Sequence, residues 1–399
     1  MKKIFSVLMM SLFVLTACGE VSPDGRPETA SPENPFGGEV IRMGYIGPLT
    51  GDAASLGQDE KATLEMWLEQ NPEIDGKKVE IVYEDGKCNG QEAASAAQKL
   101  IAINKVQVLL GGLCSGETLG IAPIAEQEKV LAFSSFSTSP EITDAGDYVF
   151  RNAPSDANSS TVLVDLVDQY SKIALISQNN DYSAAYRKAL QDKLPGAGVE
   201  LVVDEAFNSG TTDFKTILQK VKDSEAEALV LIPGEVSPGG FIVKQAAELG
   251  VELPMFGGDV LSGTEFFDIG KDATEGIKIV IMAADESDSV VKKFIDDFVA
   301  RNNREPSATA FMLLNWDKMN ILKQAITEVG YDASALKDYL YAMEGFEGIG
   351  GLSKFDKNGD VSLTPGVMIA KDGSFVLLSE DDENIVESEE SEDEEGFDE

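Results

Sequence analysis

The chain contains no histidine among its 399 residues, and this excludes a whole group of functions. Ser-His-Asp and Cys-His catalysis need an imidazole base, and His-ligated metal sites need an imidazole ligand. Positive charge is also scarce, because 32 Lys and Arg stand against 70 Asp and Glu for a formal net charge of -38. We therefore expect no binding to nucleic acid or, by charge, to an anionic lipid surface.

The common phosphate and metal motifs are absent as well. No G-x-x-x-x-G-K-[ST] loop occurs in the sequence. Asp356, Asn358 and Asp360 are spaced as in a calcium loop, but Val361 stands where that loop needs glycine and Val367 where it needs an acid. A β-turn between two strands explains this segment better. We expect no metal and no cofactor.

A long apolar run lies at the start of the sequence. Lys2 and Lys3 precede an apolar segment over residues 4–15, which is typical of a secretory signal and too short to span a membrane. The segment ends in Leu-Thr-Ala before Cys18, which resembles the bacterial lipobox. We expect cleavage after Ala17 and a lipid on Cys18. An ordinary signal peptide with an incidental cysteine is the weaker alternative.

Segments of biased composition flank the body of the chain. Behind the signal peptide of residues 1–17, residues 18–38 hold four prolines and no apolar periodicity, which predicts a lipidated tether. Residues 380–399 are almost wholly acidic and serine-rich, which predicts a disordered, solvated tail. A binding role for that tail is the weaker alternative.

Only three cysteines are present. If Cys18 carries a lipid, Cys88 and Cys114 remain in an exported, oxidising setting, which favours one disulfide. A reactive thiol stays open as the alternative, although no histidine exists to activate it.

Strand and helix patterns alternate from Val40 onward. Val40–Ile46 predicts a strand and residues 53–71 a helix, and the alternation restarts after a short strand at Tyr148–Phe150. This favours an α/β fold of two similarly wired lobes, each a doubly wound parallel sheet with helices on both faces. We assign residues 39–155 with 284–363 to lobe 1, and residues 156–283 with 364–379 to lobe 2.

Two neighbouring strand-to-helix loops are rich in small hydroxyl residues. Val106–Leu110 predicts a strand that leads to Ser115 as a helix N-cap, and Val130–Phe133 a strand that leads to a second helix start at Ser139–Glu141. Free N–H and O–H groups suit an anion, and such loops face the crevice of an open α/β sheet. One alternative is that these serines cap helices and do nothing else. For the two loops taken together we favour a ligand site.

Several segments resemble the Leu/Ile/Val-binding protein family. They include IGPLTGDAASLGQ, GLCSGET, STSPEITD, RNAPSD and FGGDVLSG, in this order, between Val40 and about Leu378. The resemblance implies a type I periplasmic-binding-protein fold. In that fold, crossing hinge strands join the two lobes and the ligand is enclosed between them.

The resemblance also assigns roles to residues. The family's paired cysteines fall on Cys88 and Cys114. Hydroxyl groups suit a ligand carboxylate and an enclosed acid suits an ammonium, so the assignment agrees with the residue types. The implied ligand-binding positions are Ser115 and Thr138 for the carboxylate, Phe136 for a backbone contact, Tyr182 from the second lobe and Asp259 for the ammonium.

Two positions depart from the family pattern. Leu56 and Glu235 stand where the family has tyrosines. Glu235 could add a carboxylate to the site, which would suit a polar or cationic ligand side chain. An exposed loop acid is the equally weighted alternative.

We therefore expect a lipid-anchored extracytoplasmic solute-binding protein on a bacterial membrane. It would capture an amino acid, branched-chain or another small zwitterion, and deliver it as a monomer to an ABC permease by hinged closure, without catalysis. One alternative is a receptor of the same fold that signals to a membrane kinase or chemoreceptor. An exported hydrolase is a more distant one.

The lipid assignment predicts the behaviour of Cys18→Ala. Without the sulfur that carries the lipid, the variant should be left uncleaved or be released from the membrane. Membrane fractionation and the mass of the processed chain measure this. A variant that is processed and retained as before would contradict the lipoprotein interpretation.

Overall fold

The computed structural model describes residues 40–51, 53–282, 284 and 286–378. The predicted signal peptide, tether and acidic tail lie outside these residues. Within the described ranges, no helix combines the length and the apolar character needed to cross a bilayer.

Strands and helices alternate along the described chain. The strands are β1 (Val40–Gly47), β2 (Glu73–Ile74), β3 (Lys77–Asp85), β4 (Val108–Gly111), β5 (Leu131–Ser134), β6 (Val149–Arg151), β7 (Lys172–Gln178), β8 (Glu200–Phe207), β9 (Ala228–Ile232), β10 (Met255–Gly257), β11 (Lys278–Ile281), β12 (Phe346–Gly348), β13 (Gly351–Ser353), β14 (Gly366–Lys371) and β15 (Ser374–Leu377). The α-helices are α1 (Ala54–Gln70), α2 (Gly90–Ala102), α3 (Ser115–Glu128), α4 (Asp156–Val167), α5 (Asp181–Lys193), α6 (Lys215–Lys222), α7 (Val236–Leu249), α8 (Thr264–Gly270), α9 (Ser289–Asn302), α10 (Thr309–Val329) and α11 (Ala333–Ala342).

The strands form two large sheets with the same wiring. The first has the order β2-β3-β1-β4-β5-β6 and the second β15-β14-β11-β10-β9-β7-β8. In each, five parallel strands lie in the spatial order second, first, third, fourth, fifth. The predicted α/β fold with two doubly wound lobes is confirmed. An antiparallel pair, β14 and β15, extends the second sheet beyond β11.

The chain passes between the two sheets three times. It leaves the first sheet after β6 and the second after β11, and it returns to the second at β14. Between the last two passages, α9 and α10 pack on α1 beside the first sheet. The exact limits of the two lobes stay a prediction.

The central strands are buried on both faces, as their continuous apolar sequences predict. All residues of β4, β5 and β9 are buried. Apolar clusters cover both faces of each sheet, and one of them continues from the second sheet through Phe294, Phe298 and Met312 to Met66 and Leu113 of the first lobe.

A buried ion pair holds the first passage between the sheets. Arg151 is fully buried, and its Nε and Nη2 atoms donate to the two carboxylate oxygens of Asp360, each at 2.7 Å. Its Nη1 donates to the carbonyl of Ser139 at 2.7 Å. Asp360 follows a tight turn in which the Gly359 N–H donates to the Asp356 carbonyl at 3.1 Å. The predicted β-turn is thus present, and it serves to hold Arg151.

Of the two N-caps predicted in the hydroxyl-rich loops, Ser115 needs correction and Ser139 is confirmed. Cys114, not Ser115, is the N-cap of α3, because Glu117 at the third helical position reaches back to the Cys114 N–H at 3.0 Å. Ser139 does accept a hydrogen bond from the Glu141 N–H at 3.3 Å, but it opens only the short 3-10 helix Pro140–Asp144. An α-helix does not fit there, because β6 begins a few residues later.

Cys88 and Cys114 form a disulfide, which confirms the predicted pairing. It closes a loop with a sequence separation of 26 residues. Replacing both cysteines by serine should lower the free energy of unfolding by about 3 kcal/mol, since the unfolded chain regains loop entropy. Equilibrium denaturation of the double variant and the oxidised wild type measures this. Equal denaturation midpoints would contradict it.

Candidate ligand-binding site

A cavity of about 70 Å³ lies between the two sheets. Loops at the carboxyl ends of strands from both sheets form it, which is where open α/β sheets bind ligands. The cavity is small, so it suits a small ligand. The lining residues are Ala53, Leu56, Cys88, Leu113, Cys114, Ser115, Gly116, Phe136, Thr138, Asn180, Asp181, Tyr182, Gly234, Asp259, Val260, Ser262, Ala308 and Phe311.

The first lobe contributes hydroxyl groups to the cavity. Ser115 occupies the first position of α3, where the N–H groups have no partner within the helix. Its Oγ accepts a hydrogen bond from the Ser139 N–H at 3.2 Å, which joins the two hydroxyl-rich loops. Thr138 lies on the second loop and lines the same cavity. The structure therefore brings both predicted carboxylate-binding residues together.

The other hydroxyls of these loops have a structural role. Ser134 Oγ donates to the Gly112 carbonyl at 2.7 Å, and Ser137 Oγ contacts the same carbonyl at 3.0 Å. Ser137 Oγ also lies 2.7 Å from Thr118 Oγ1 on α3. These bonds satisfy the buried loop backbone, whereas Ser115 and Thr138 face the cavity. The loop hydroxyls thus fall into two groups, one bonded to the loop backbone and one that lines the cavity.

The second lobe contributes a carboxylate. Asp259 follows β10, and its Oδ1 accepts hydrogen bonds from the Tyr182 hydroxyl at 2.7 Å and from the Val260 N–H at 3.1 Å. Burial raises the pKa of Asp259 to about 6, against the opposing effect of these donors. No lysine or arginine lines the cavity among the described residues. The carboxylate therefore has no cationic partner on the cavity wall.

A second acid beside the cavity was not predicted from the sequence. Asp156, at the start of α4, is buried, and its carboxylate hydrogen-bonds the Thr138 hydroxyl. Its Oδ2 has no hydrogen-bond partner among the described residues. Burial, and next the charge of Asp259, raise the pKa of Asp156 well above its ordinary value. The motif RNAPSD contains this residue, but helix-start acids are common, so the sequence offered no specific signal.

Part of the remaining wall is apolar, and the second lobe adds the polar side chains of Asn180, Asp181 and Ser262. Leu56, Phe136 and Phe311 are buried there, and the rings of Phe136 and Phe311 stack with centroids 4.7 Å apart. Ala308 and Phe311 come from α10 and the segment before it. The sequence does not single them out, because an apolar residue in a helical pattern usually indicates core.

Glu235 lies beside the cavity but not on its wall. It is the N-cap of α7, next to Gly234, which does line the cavity. Its Oε1 accepts a hydrogen bond from Ser209 Oγ at 2.9 Å, and its Oε2 is buried without a partner among the described residues. A contact between Glu235 and a ligand stays a prediction that this arrangement does not favour.

Comparisons with known proteins agree with this architecture. The family model described as periplasmic binding protein matches residues 40–371. The chain belongs to this family. Members work outside the cytoplasm, so the chain is extracytoplasmic.

The relatives of this family member include amino-acid-binding proteins. The Pseudomonas aeruginosa leucine-, isoleucine-, valine-, threonine- and alanine-binding protein is 28% identical over 331 residues, which cover 81% of this chain and 87% of that protein. A leucine binding protein from Thermotoga maritima matches with a TM-score of 0.79 and 26% identity over 85% of this chain and 98% of that one. A branched-chain amino acid transporter substrate binding protein from Streptococcus pneumoniae, solved with isoleucine, matches with a TM-score of 0.76 and 27% identity over 85% of this chain and 100% of that one.

Proposed function

We propose that this solute-binding protein captures an α-amino acid with a small apolar side chain. The observation that carries the proposal is the division of the cavity into three parts. Hydroxyl and N–H groups stand on the first lobe, the buried Asp259 carboxylate and the exposed Asp181 stand on the second with no cation on the described wall, and apolar side chains stand between.

The polar groups match the two charges of an amino acid. Ser115 would donate to the ligand carboxylate, with help from the positive end of the α3 dipole. Thr138 would do so after its hydroxyl turns from Asp156 to the ligand, because a hydroxyl has one proton to donate. Asp259 would pair with the ammonium. Asp156 has an unpartnered oxygen and lies close enough to Asp259 for the two charges to interact, so it would add negative charge on the ammonium side. A ligand with a single charge would leave one of these groups unpaired and buried, at a high cost.

The apolar wall indicates the class of side chain. Leu56, Phe136 and Phe311 offer no partner for a charged or strongly polar group, and the polar Asn180, Asp181 and Ser262 lie on the side of the second lobe. Leucine, isoleucine or valine would gain burial there, whereas glutamate would place a second carboxylate near Asp259 without a cation to balance it. The names of the relatives support the same class.

Binding would also hold the lobes together, because one ligand contacts both. The closed form would then be the form that an ABC permease recognises. In this proposal the protein catalyses no reaction, acts as a monomer and is held at the membrane by a lipid on Cys18. Glu235 would tune the site only if the ligand carries a cationic group.

The role of Asp259 predicts a large difference between two matched substitutions. Wild type should bind leucine, and Asp259→Asn should weaken binding by roughly 2–5 kcal/mol, because the enclosed ammonium loses its partner. Glu235→Gln is the control, since it makes the same change outside the cavity wall, and its affinity should stay within about threefold of wild type. Calorimetry measures both.

Two outcomes would contradict the proposal. If neither leucine, isoleucine nor valine binds the wild type, the ligand class is wrong. If Asp259→Asn binds leucine as tightly as Glu235→Gln does, the ammonium site lies elsewhere.

The raised pKa of Asp259 predicts that affinity increases with pH. An ammonium pairs with the ionised carboxylate. When the pH lies below the Asp259 pKa of about 6, the ligand must first displace a proton from this carboxylate. Leucine should therefore bind about tenfold more weakly at pH 5 than above pH 7. The folding stability of the ligand-free protein should depend on pH in the opposite direction. The folded state binds the Asp259 proton more tightly than the unfolded state, so stability falls as the pH rises from about 4 to 6. Calorimetry across this range tests the first effect, and Asp259→Asn should flatten the profile.

A further inference from the structure

A buried carboxylate lies directly behind the first-lobe wall of the cavity. Glu117, the third residue of α3, is fully buried and does not line the cavity. Its Oε1 accepts a hydrogen bond from the Cys88 N–H and its Oε2 one from the Cys114 N–H, both at 3.0 Å. One side chain thus holds two loops that are distant in sequence.

The backbone around Glu117 leaves room for this side chain and little else. A Cβ atom at Gly86 would lie 2.2 Å from Glu117 Oε1. A Cβ atom at Gly112 would lie 2.3 Å from Glu117 Cβ. Both distances are far below van der Waals contact, so a glycine at each position is needed for the close approach.

The two residues that Glu117 holds are the two halves of the disulfide. Cys88 and Cys114 are joined through their sulfurs and held at their N–H groups by the same carboxylate. Both line the cavity, and Ser115 follows Cys114 directly. The disulfide restrains the side chains, whereas Glu117 restrains the backbone that sets the direction of the first turn of α3.

We propose that Glu117 is a positioning residue of the ligand-carboxylate site, which fixes the first turn of α3 and with it Ser115. The consequence for binding rests on the proposed function. The two hydrogen bonds can be tested without any ligand. The acid is specifically required, because each of its oxygens accepts from a different N–H group, whereas an amide offers one acceptor and points an NH2 group at the other donor.

Glu117→Gln therefore has a matched control on the same helix. Glu126 also accepts a backbone N–H with its carboxylate, from Tyr148, but it does not line the cavity. Glu126→Gln removes a comparable bond at the other end of α3. A general loss of helix packing would appear in both variants, whereas a loss of positioning would appear only in Glu117→Gln.

The first arm of the experiment uses the ligand-free protein. Amide hydrogen exchange by NMR should be at least about tenfold faster at Cys88, Cys114 or both in Glu117→Gln than in wild type, and unchanged at these two residues in Glu126→Gln. If Glu117→Gln does not fold, Gly86→Ala replaces it, because the added Cβ displaces the carboxylate without removing it. Unchanged exchange at both cysteines would overturn the proposal.

The second arm measures the affinities for leucine and for leucinamide, in which a neutral amide replaces the carboxylate. Glu117→Gln should bind leucine about tenfold more weakly than wild type, with a smaller loss for leucinamide, and Glu126→Gln should change neither. An equal loss for both ligands, or no loss for leucine, would overturn the positioning role. If the wild type binds no amino acid, the proposed function fails, while the exchange arm still decides whether Glu117 holds the two loops.

Discussion

The carboxylate of Asp259 faces hydroxyl and N–H groups of the other lobe across a cavity of about 70 Å³, with no lysine or arginine on the described wall. The rest of the site depends on this arrangement, in which a carboxylate on one lobe and hydrogen-bond donors on the other face each other without charged partners. Each lobe alone would present one half to water at little cost. Enclosed together, the two halves need a ligand that carries both complementary charges. In the proposed function, closure and binding are coupled, because the ligand that balances the charges also connects the lobes.

Buried acids hold much of the supporting backbone. Glu117 accepts from the N–H groups of two loops, Asp317 accepts from Ile349 at 3.0 Å and from Gly350 at 2.7 Å, and Asp360 holds the Arg151 guanidinium at the first passage between the sheets. A chain with a net charge of -38 can use carboxylates in this way because N–H donors satisfy them locally. Burial then raises the pKa of Glu117 and of Asp317 to about 7 each. Some of the acidic residues of this protein therefore have a structural role in its interior, and others lie on its surface.

The fold does not by itself select the ligand. Selection depends on which side chains complete the wall between the two polar ends, and these come from distant parts of the chain. Leu56 precedes Phe311 by more than half of the described chain, yet both line the cavity. Glu235, at a position where the resembling family has tyrosine, accepts a hydrogen bond from Ser209 and does not line the cavity. The identity of a single residue in the sequence therefore does not show whether it lines the cavity, whereas the structure does.

The sequence by itself determined the strand and helix alternation, the two similarly wired lobes and the loops that form the site. Those features depend on local periodicity and on the rule that parallel strands present their carboxyl ends at one edge. The resemblance added Ser115, Thr138, Tyr182 and Asp259, and the structure brings all four to one cavity. Only the tertiary structure decided that Cys114 caps α3, that Asp156 and Phe311 adjoin the site, and that Glu117 lies behind it. These outcomes depend on burial and on contacts between residues far apart in the chain, and neither is encoded in a local pattern.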